Sequence, residues 1–291
     1  MKRYTFDEFN RQFPNNEACL DWLFHRFYRD GTVECKTCGR ATKHHRVKSR
    51  PSYSCDVCGH HVHPTAGTIF HKSPTSLRLW FYAIYLVSAT RAGISAKQLE
   101  RELGVTYKTA WRMMKQIRSM MDDGGVQLDK PSEMDETYMH PNPARDRRLP
   151  RGRYAASDRS EIVVGIAEKG GRVVAKHVDN AGTKTLIELV KTTVKPGTEV
   201  HTDGWKPYRK LPKYGYPHAW VDHETGEYLV NGIGTQQIEN FWSNFKRGIY
   251  GVYRHCGSSY LQSYVNEYAW RYSRRNSEIP MFELLLGQVR A

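Results

Sequence analysis

Glu133-Met-Asp-Glu-Thr-Tyr-Met139, Glu161-Ile-Val-Val-Gly-Ile-Ala-Glu168 and Arg172-Val-Val-Ala-Lys-His-Val-Asp179 decide the fold of the second half of this chain. Each is a short run rich in Val, Ile or Tyr, the composition that suits a pleated, half-buried strand. Residues 198–202 and 218–222 read as two further strands. Helical spacing alternates with them. One helix, about 183–194, follows the third strand, another, about 236–250, follows the fifth, and residues 260–275 form a closing helix. Strands first, then helices crossing between strands, predict an α/β fold with a mixed sheet flanked by helices.

Working back towards the N-terminus, the period changes. Asn15 or Asn16 can cap a first helix, because Ala18, Leu20, Trp22, Leu23, Phe24 and Phe27 recur at helical spacing up to Asp30-Gly31. A turn-rich segment with Cys and His spans about 32–68. Ser73-Pro74-Thr75 then opens an apolar helix through about residue 89. Two more helices, 95–103 and 106–121, are separated by Gly104-Val105, and Gly124-Gly125 with Pro131 punctuates a linker. The domains expected are a helical segment at 1–30, a Cys- and His-containing segment at 31–70, a helical region at 74–123 and an α/β domain at 129–291. No internal repeat or low-complexity tract is visible.

The chain has 291 residues, more than the ~100–200 of a usual single domain, and 39% of them are hydrophobic, enough for globular cores. Its 44 Lys and Arg outweigh 30 Asp and Glu, giving a net charge of +14 and a pI near 9.5. That surplus suits a polyanion, since cations that neutralise phosphates release counterions and gain affinity. The opening Met1-Lys-Arg-Tyr-Thr-Phe-Asp-Glu8 has acids where the apolar core of a secretory signal would follow. The apolar run at 77–89 is too short for a membrane span of ~18 residues. The expectation is a cytoplasmic, nucleoid-associated protein with no membrane partner. Thiols stay reduced there, so paired cysteines are better metal ligands than disulfides.

Cys35-Lys-Thr-Cys38 and Cys55-Asp-Val-Cys58 are two such pairs, sixteen residues apart. Tetrahedral zinc takes four thiolates, and each Cys-x-x-Cys turn offers two. Gly39 and Gly59 follow the pairs directly, where such a turn needs positive φ. Zinc here would be structural, because four protein ligands leave no open position for chemistry. His60, His61 and His63 are read as surface or DNA-facing residues, and Cys19 and Cys256 as core.

Ile94 to Arg112 carries the pattern of a helix-turn-helix. Ala96, Leu99 and Leu103 make an inward face, Gly104 makes the turn, and Val105 and Ala110 face back inside. Thr106, Tyr107, Lys108, Thr109 and Arg112 are left to point outward from the second helix, where they could meet base edges and phosphates in a major groove. An ordinary helical hairpin would show the same packing pattern.

Three acids stand apart from the rest. Asp135 lies inside a strand, Asp203 ends another (Val200-His-Thr-Asp-Gly204), and Glu239 lies near the start of the amphipathic helix Gln236-Gln-Ile-Glu-Asn-Phe-Trp-Ser-Asn-Phe-Lys-Arg-Gly248. An acid in a buried strand is costly unless a cation compensates it. Three that converge could hold two Mg²⁺ (or Mn²⁺) ions ~3.5–4 Å apart, as phosphoryl transfer at a DNA phosphodiester requires. Lys246 falls two helical turns beyond Glu239 on the same face and could meet a phosphate. Strand alternation points Glu136 away from Asp135.

These blocks, with Phe13-Pro14, Asp135-Glu-Thr-Tyr138, His201-Thr-Asp-Gly204, Ile238 to Gly251 and Asn266 to Arg275, give the chain its resemblance. It resembles the bacterial insertion-sequence DDE transposases related to Merlin elements, the ISXO2-like group, in which a zinc ribbon and helix-turn-helix precede a ribonuclease H-like domain. The resemblance implies a metal-dependent DNA strand transferase acting on transposon ends and target DNA as a homo-oligomer. It also implies a metal-binding triad of Asp135, Asp203 and Glu239 with Lys246 as its cationic companion, and some relatives carry Asn as the third ligand, which Asn240 could supply. Arg145, Arg147, Arg148, Arg151 and Arg153 crowd one loop that is either a solvated face or a DNA contact. His201 and His223 lie near the acids in sequence, and the stripe Tyr260, Leu261, Tyr264, Val265, Tyr268 and Tyr272 reads as helix core. Two rivals share most of these features: a non-catalytic DNA-binding regulator or decayed transposase, and a nuclease that cuts without joining.

Overall fold

The computed structural model describes residues 3–139, 160–221, 229–230 and 232–290, and divides into two compact units. The arginine-rich loop with Arg145, Arg147, Arg148, Arg151 and Arg153, and also His223, lies outside the described residues.

The first unit takes residues 1–91, 96–120 and 278–291. Its helices are α1 (Phe6–Gln12), α2 (Asn16–Phe27), α3 (Leu77–Ala89), α4 (Ala96–Leu103) and α5 (Tyr107–Ser119). Side-chain caps set their starts. Thr5 and Glu8 form a reciprocal capping box on α1, the Asn15 carboxamide accepts the Ala18 N–H at 2.9 Å, and Ser76 and Thr106 cap α3 and α5. Four short antiparallel strands follow α2 in the order β1 (Thr32–Cys35), β2 (Arg40–Val47), β3 (Ser52–Cys55) and β4 (His61–Val62). The ribbon is fastened to α2 by Tyr53, whose ring stacks on Phe24 at 3.6 Å. Arg78 ties α3 to the first two helices: its Nε donates to Phe13 O and its Nη2 to Asn10 Oδ1, both at 2.8 Å, and its backbone N–H donates to Asn16 Oδ1 at 2.9 Å. Phe9, Phe13 and Phe81 fill the core between these helices.

The second unit takes residues 92–95 and 121–277 and is built on a five-stranded sheet. Its strands are β5 (Ser132–Met139), β6 (Glu161–Glu168), β7 (Val173–Val178), β8 (Val200–Asp203) and β9 (His218–Val221), ordered β7-β6-β5-β8-β9. β5, β6 and β7 pair antiparallel, while β8 and β9 run parallel to β5, so the sheet is mixed as expected. One face is covered by α6 (Thr183–Thr193) and by a 3₁₀ helix (Lys206–Tyr214) that carries Tyr208 and Leu211 into the core. The other face is covered by α7 (Gln236–Gly248) and α8 (Ser258–Ser273). A small hairpin, β10 (Leu229–Val230) and β11 (Ile233–Gly234), precedes α7. The aromatic stripe of α8 is core, with Leu261, Tyr264, Val265 and Tyr268 buried. Cys19 and Cys256 are buried as well.

β7 is an edge strand, and α8 closes it. Gln262 accepts the His177 N–H at 2.7 Å and donates to Ala175 O at 3.1 Å, while Ser273 Oγ accepts the Val173 N–H at 2.9 Å. These side chains take the ladder positions that a sixth strand would use.

α7 owes its place to a missing side chain. A Cβ on Gly165 of β6 would stand 2.7 Å from Trp242 Cζ2 and 2.8 Å from Ile238 Cδ1. Gly165→Ala should therefore destabilise the second unit by about 1–3 kcal/mol through overpacking. Chemical denaturation checks this, and an unchanged midpoint would mean that α7 shifts without cost.

The last helix, α9 (Met281–Leu286), packs in the first unit and not on the sheet that precedes it in sequence. Phe282 enters the aromatic cluster of that unit, 4.6 Å from Tyr4 and 5.9 Å from Phe9, and Arg26 Nη2 donates to Gly287 O at 2.6 Å.

Candidate functional site

Register places the two aspartates together. On the parallel strands β5 and β8, Glu133 stands beside His201, so two residues further along each strand come Asp135 and Asp203, level and on the same face by alternation. On the other side Asp135 is paired with Gly165, which brings it under α7. Trp242 of α7 donates its indole N–H to Asp135 Oδ2 at 3.0 Å. Lys246, one turn further along α7, is half-buried and within electrostatic reach of Asp135. Asp203 ends its strand in a turn and accepts the Trp205 N–H at 3.1 Å.

Electrostatics mark this row. Burial, then the charges of Glu136 and Asp203, push Asp135 up to about 7. Burial lowers Lys246 while the charge of Asp135 opposes that shift. Glu136 does point to the opposite face, where it accepts a hydrogen bond from Tyr208, and burial raises its carboxyl too. The site thus holds more negative charge than its surroundings offset, a condition that a cation would relieve.

Glu133 was not singled out by the sequence, yet it positions the helix. Its carboxylate accepts the N–H groups of Gln237 at 2.6 Å and Ile238 at 3.0 Å, the first turn of α7. Burial raises Glu133, and these two N–H groups oppose that rise. The signal available for Trp242 was its spacing, three residues after Glu239 and four before Lys246 on one helix face.

Glu239 is exposed, and its carboxylate accepts the Thr235 hydroxyl hydrogen bond at 2.6 Å. Among the described residues Asp135, Asp203 and Glu239 are not gathered closely enough to hold an ion as a trio. His201 is buried with its Nε2 at 3.2 Å from Glu199 Oε2.

The cysteines are gathered. Cys35 Sγ lies 3.6 Å from Cys58 Sγ, Cys38 Sγ lies 3.9 Å from Cys55 Sγ, and all four lie within 4.8 Å of one another. Tetrahedral zinc with bonds of ~2.3 Å sets its sulfurs ~3.8 Å apart, so this cluster could hold a metal such as zinc. Gly39 and Gly59, at φ +66° and +73°, turn each pair so that their N–H groups bond back to the carbonyls of Cys35 and Cys55. The Thr42 hydroxyl, 3.2 Å from Cys55 Sγ, holds that thiol down at about 6. Neither His60, His61 nor His63 belongs to the cluster.

Of the outward residues on α5, Thr106, Tyr107 and Lys108 are exposed and Thr109 is half-buried. Arg112 is half-buried too, with its Nη2 donating to Ser73 Oγ at 3.3 Å and its guanidinium over Trp80. No helix among the described residues is long and apolar enough to cross a membrane.

The pattern of the ISXO2-like transposase domain matches residues 127–273, a span that contains the whole five-stranded sheet with α6, α7 and α8. The chain belongs to this transposase family. Its relatives point to mobile DNA as well. It is 29% identical over 280 residues to an uncharacterized protein in the transposable element ISH50 of Halobacterium salinarum, covering 90% of this chain and 92% of that one. It is 30% identical over 122 residues to an uncharacterized transposase-like protein of Haemophilus influenzae, covering 40% of this chain and 93% of that one. The insertion-sequence resemblance carried by the sequence blocks is therefore shown, and the matched span holds Asp135, Asp203, Glu239 and Lys246 of this transposase.

Two outcomes follow for this site. Asp135 holds its proton more tightly in the folded state, about 7 against 3.8, so the stability which that proton contributes is fully present below about pH 4 and is lost as pH rises through 7. Asp135→Asn keeps an acceptor for Trp242 and should stabilise the metal-free protein more at pH 8, by up to about 4 kcal/mol, than at pH 5, by about 1–2 kcal/mol. Melting curves at the two pH values in EDTA test this; an equal effect at both would place the ionisation elsewhere. For the cysteines, mass spectrometry of digested protein should find about one zinc per chain, and Cys35→Ser should lose it together with the ribbon's protection from proteolysis.

Proposed function

We propose that this chain is a DDE transposase that binds the terminal inverted repeats of an insertion sequence and cuts and joins DNA there. The observation that carries the reading is the place of Asp135 and Asp203, each two residues past the paired Glu133 and His201 on neighbouring parallel strands, under a helix that brings Lys246 to Asp135. In this reading the sheet with its two helical layers is a ribonuclease H-like domain. Glu239 completes the triad when its side chain turns from Thr235 towards the aspartates, with Asn240 as the alternative third ligand.

Bound Mg²⁺ or Mn²⁺ would activate a water or 3′-hydroxyl and stabilise the leaving oxygen. The protein's own groups do the rest. Asp135 and Asp203 hold the negative charge that draws the cations in, Trp242 fixes one Asp135 oxygen, and Lys246 sits where a DNA phosphate would meet a cation. No Ser, Tyr or His nucleophile is needed, so no covalent protein–DNA intermediate forms. α4 and α5 act as a helix-turn-helix that offers Thr106, Tyr107, Lys108 and Thr109 to DNA, while Arg112 is held by Ser73 and Trp80. The arginine-rich loop adds contacts to the transposon end or target. Two ends must be brought together, so the working form is a homo-oligomer.

Labelled DNA carrying the element's flanking ends tests this with Mg²⁺ or Mn²⁺. Wild type should give cleaved and joined strands, and Asp203→Ala should reduce both at least ~100-fold while DNA binding persists. Binding without any product from wild type would favour a regulator or decayed transposase. Cleavage without joining would favour a nuclease, and products unchanged in the variant would remove Asp203 from the mechanism. Lys108→Ala should weaken binding about equally across sequences and lower the salt dependence by ~1 ion; a loss confined to one sequence would make Lys108 a base reader instead.

A further inference from the structure

Ala92 to Ser95, the turn that runs straight into α4, belongs to the second unit, although the chain on either side of it belongs to the first. Two tyrosines hold that turn. Tyr268 of α8 donates its hydroxyl to Ala92 O at 2.6 Å. Its ring lies so close over Gly248, the last residue of α7, that a Cβ there would collide with Tyr268 Oη and Cζ. Tyr253 ends the π-helical turn Ile249–Tyr253 that continues α7. Its hydroxyl donates to Glu267 Oε1 and Oε2 at 2.8 and 3.0 Å. A Cβ on Gly93, at φ +89°, would collide with that hydroxyl and stand 3.1 Å from Glu267 Oε1.

Glu267 itself is fully buried and paired with Arg271, whose Nε and Nη2 donate to it at 3.1 and 2.8 Å. Separating such a pair would leave a buried charge uncompensated, so the pair resists displacement. Glycine at 93 and at 248 leaves no side chain between backbone and tyrosine that could give. A contact packed this closely passes a displacement on and does not absorb it. The Phe245 ring, next to Lys246 in α7, packs edge-on to Tyr268 at 5.5 Å. The end of α7 that carries Lys246 and the turn that leads into α4 are therefore gripped by the same side chains.

We propose that Tyr253 and Tyr268 are positioning residues for Lys246, and that they tie its place to the turn before α4. This rests on the transposase reading and adds to it a route by which DNA on α4 and α5 licenses the chemistry. A shift of α4 moves its leading turn, the turn moves both tyrosines, and Lys246 moves towards or away from the phosphate beside Asp135. The link also runs backwards, because coupling between two sites is reciprocal.

Tyr268→Phe tests this, since it keeps the ring on Gly248 and loses only the bond to Ala92, whose exposed position lets water replace it. On duplexes of the element's end with Mg²⁺, kcat for strand products should fall roughly 5- to 150-fold, the usual range of coupling between sites. KM and end binding should stay within about twofold. Hydrogen exchange reads the tie apart from the chemistry. A duplex that holds the repeat but lacks its terminal nucleotides should slow exchange in α5 and at 243–253 of wild type, and in α5 alone in the variant. Without DNA, the variant should exchange faster at 92–95 and 246–253 together. Gly93→Ala, which pushes the turn off Tyr253, should show the same pattern. An unchanged kcat, a response at 243–253 that survives both substitutions, or faster exchange at only one of the two segments overturns the proposal. Failure of the transposase reading is seen separately: wild type would then give no strand products, while the DNA-free exchange still decides the tie.

Discussion

The capture of the first turn of α7 by Glu133 governs the geometry of the second unit. A carboxylate that reaches two backbone N–H groups at 2.6 and 3.0 Å fixes the helix along its axis, and the absent side chain of Gly165 fixes its height above the sheet. Once both are set, Trp242 has one place to put its indole N–H, against Asp135, and Lys246 follows a turn later. The helix is thus indexed to β5 by its end and to β6 by its floor. A site spread over three elements needs such indexing, because a 1 Å error in one of them would separate the charges.

That arrangement works against stability. Asp135, Glu133 and Glu136 are consecutive or near-consecutive acids on one strand, and burial raises the pKa of all three. Each is answered differently: Glu133 by a helix terminus, Glu136 by the Tyr208 hydroxyl, and Asp135 by the Glu136 backbone N–H and the Trp242 indole. The least compensated of the three is the one that shares its face and level with Asp203.

Much of this was legible in the chain, for reasons that can be named. Period-two and period-3.6 patterns gave β5, β6, β7, α6, α7 and α8 to within a residue or three at their ends, and the Cys-x-x-Cys pairs gave the cysteine cluster that could hold a metal. The 3₁₀ helix at Lys206–Tyr214 was hidden because Pro207 and Pro212 sit in it and its spacing is threefold. α1 was hidden by its brevity, seven residues whose start rests on one capping box. Glu133 read only as the first residue of a strand, since nothing local in sequence announces a helix terminus a hundred residues away. Arg112 had the right phase to face outward but found Trp80 and Ser73 first, a long-range contact that spacing cannot reveal.

The closing helix α9 has a consequence for the order in which the protein can mature. Phe282 completes the aromatic cluster that Tyr4, Phe9, Phe13 and Tyr85 begin, and Arg26 waits for the Gly287 carbonyl. A ribosome makes the ribbon and the helices of the first unit early, then the entire sheet unit, and only then the segment that seals the first core. The second unit can therefore finish folding before the first, although it is made later. Because domains emerging from the ribosome fold in turn, the core of the first unit stays open until the whole of the sheet unit has been made.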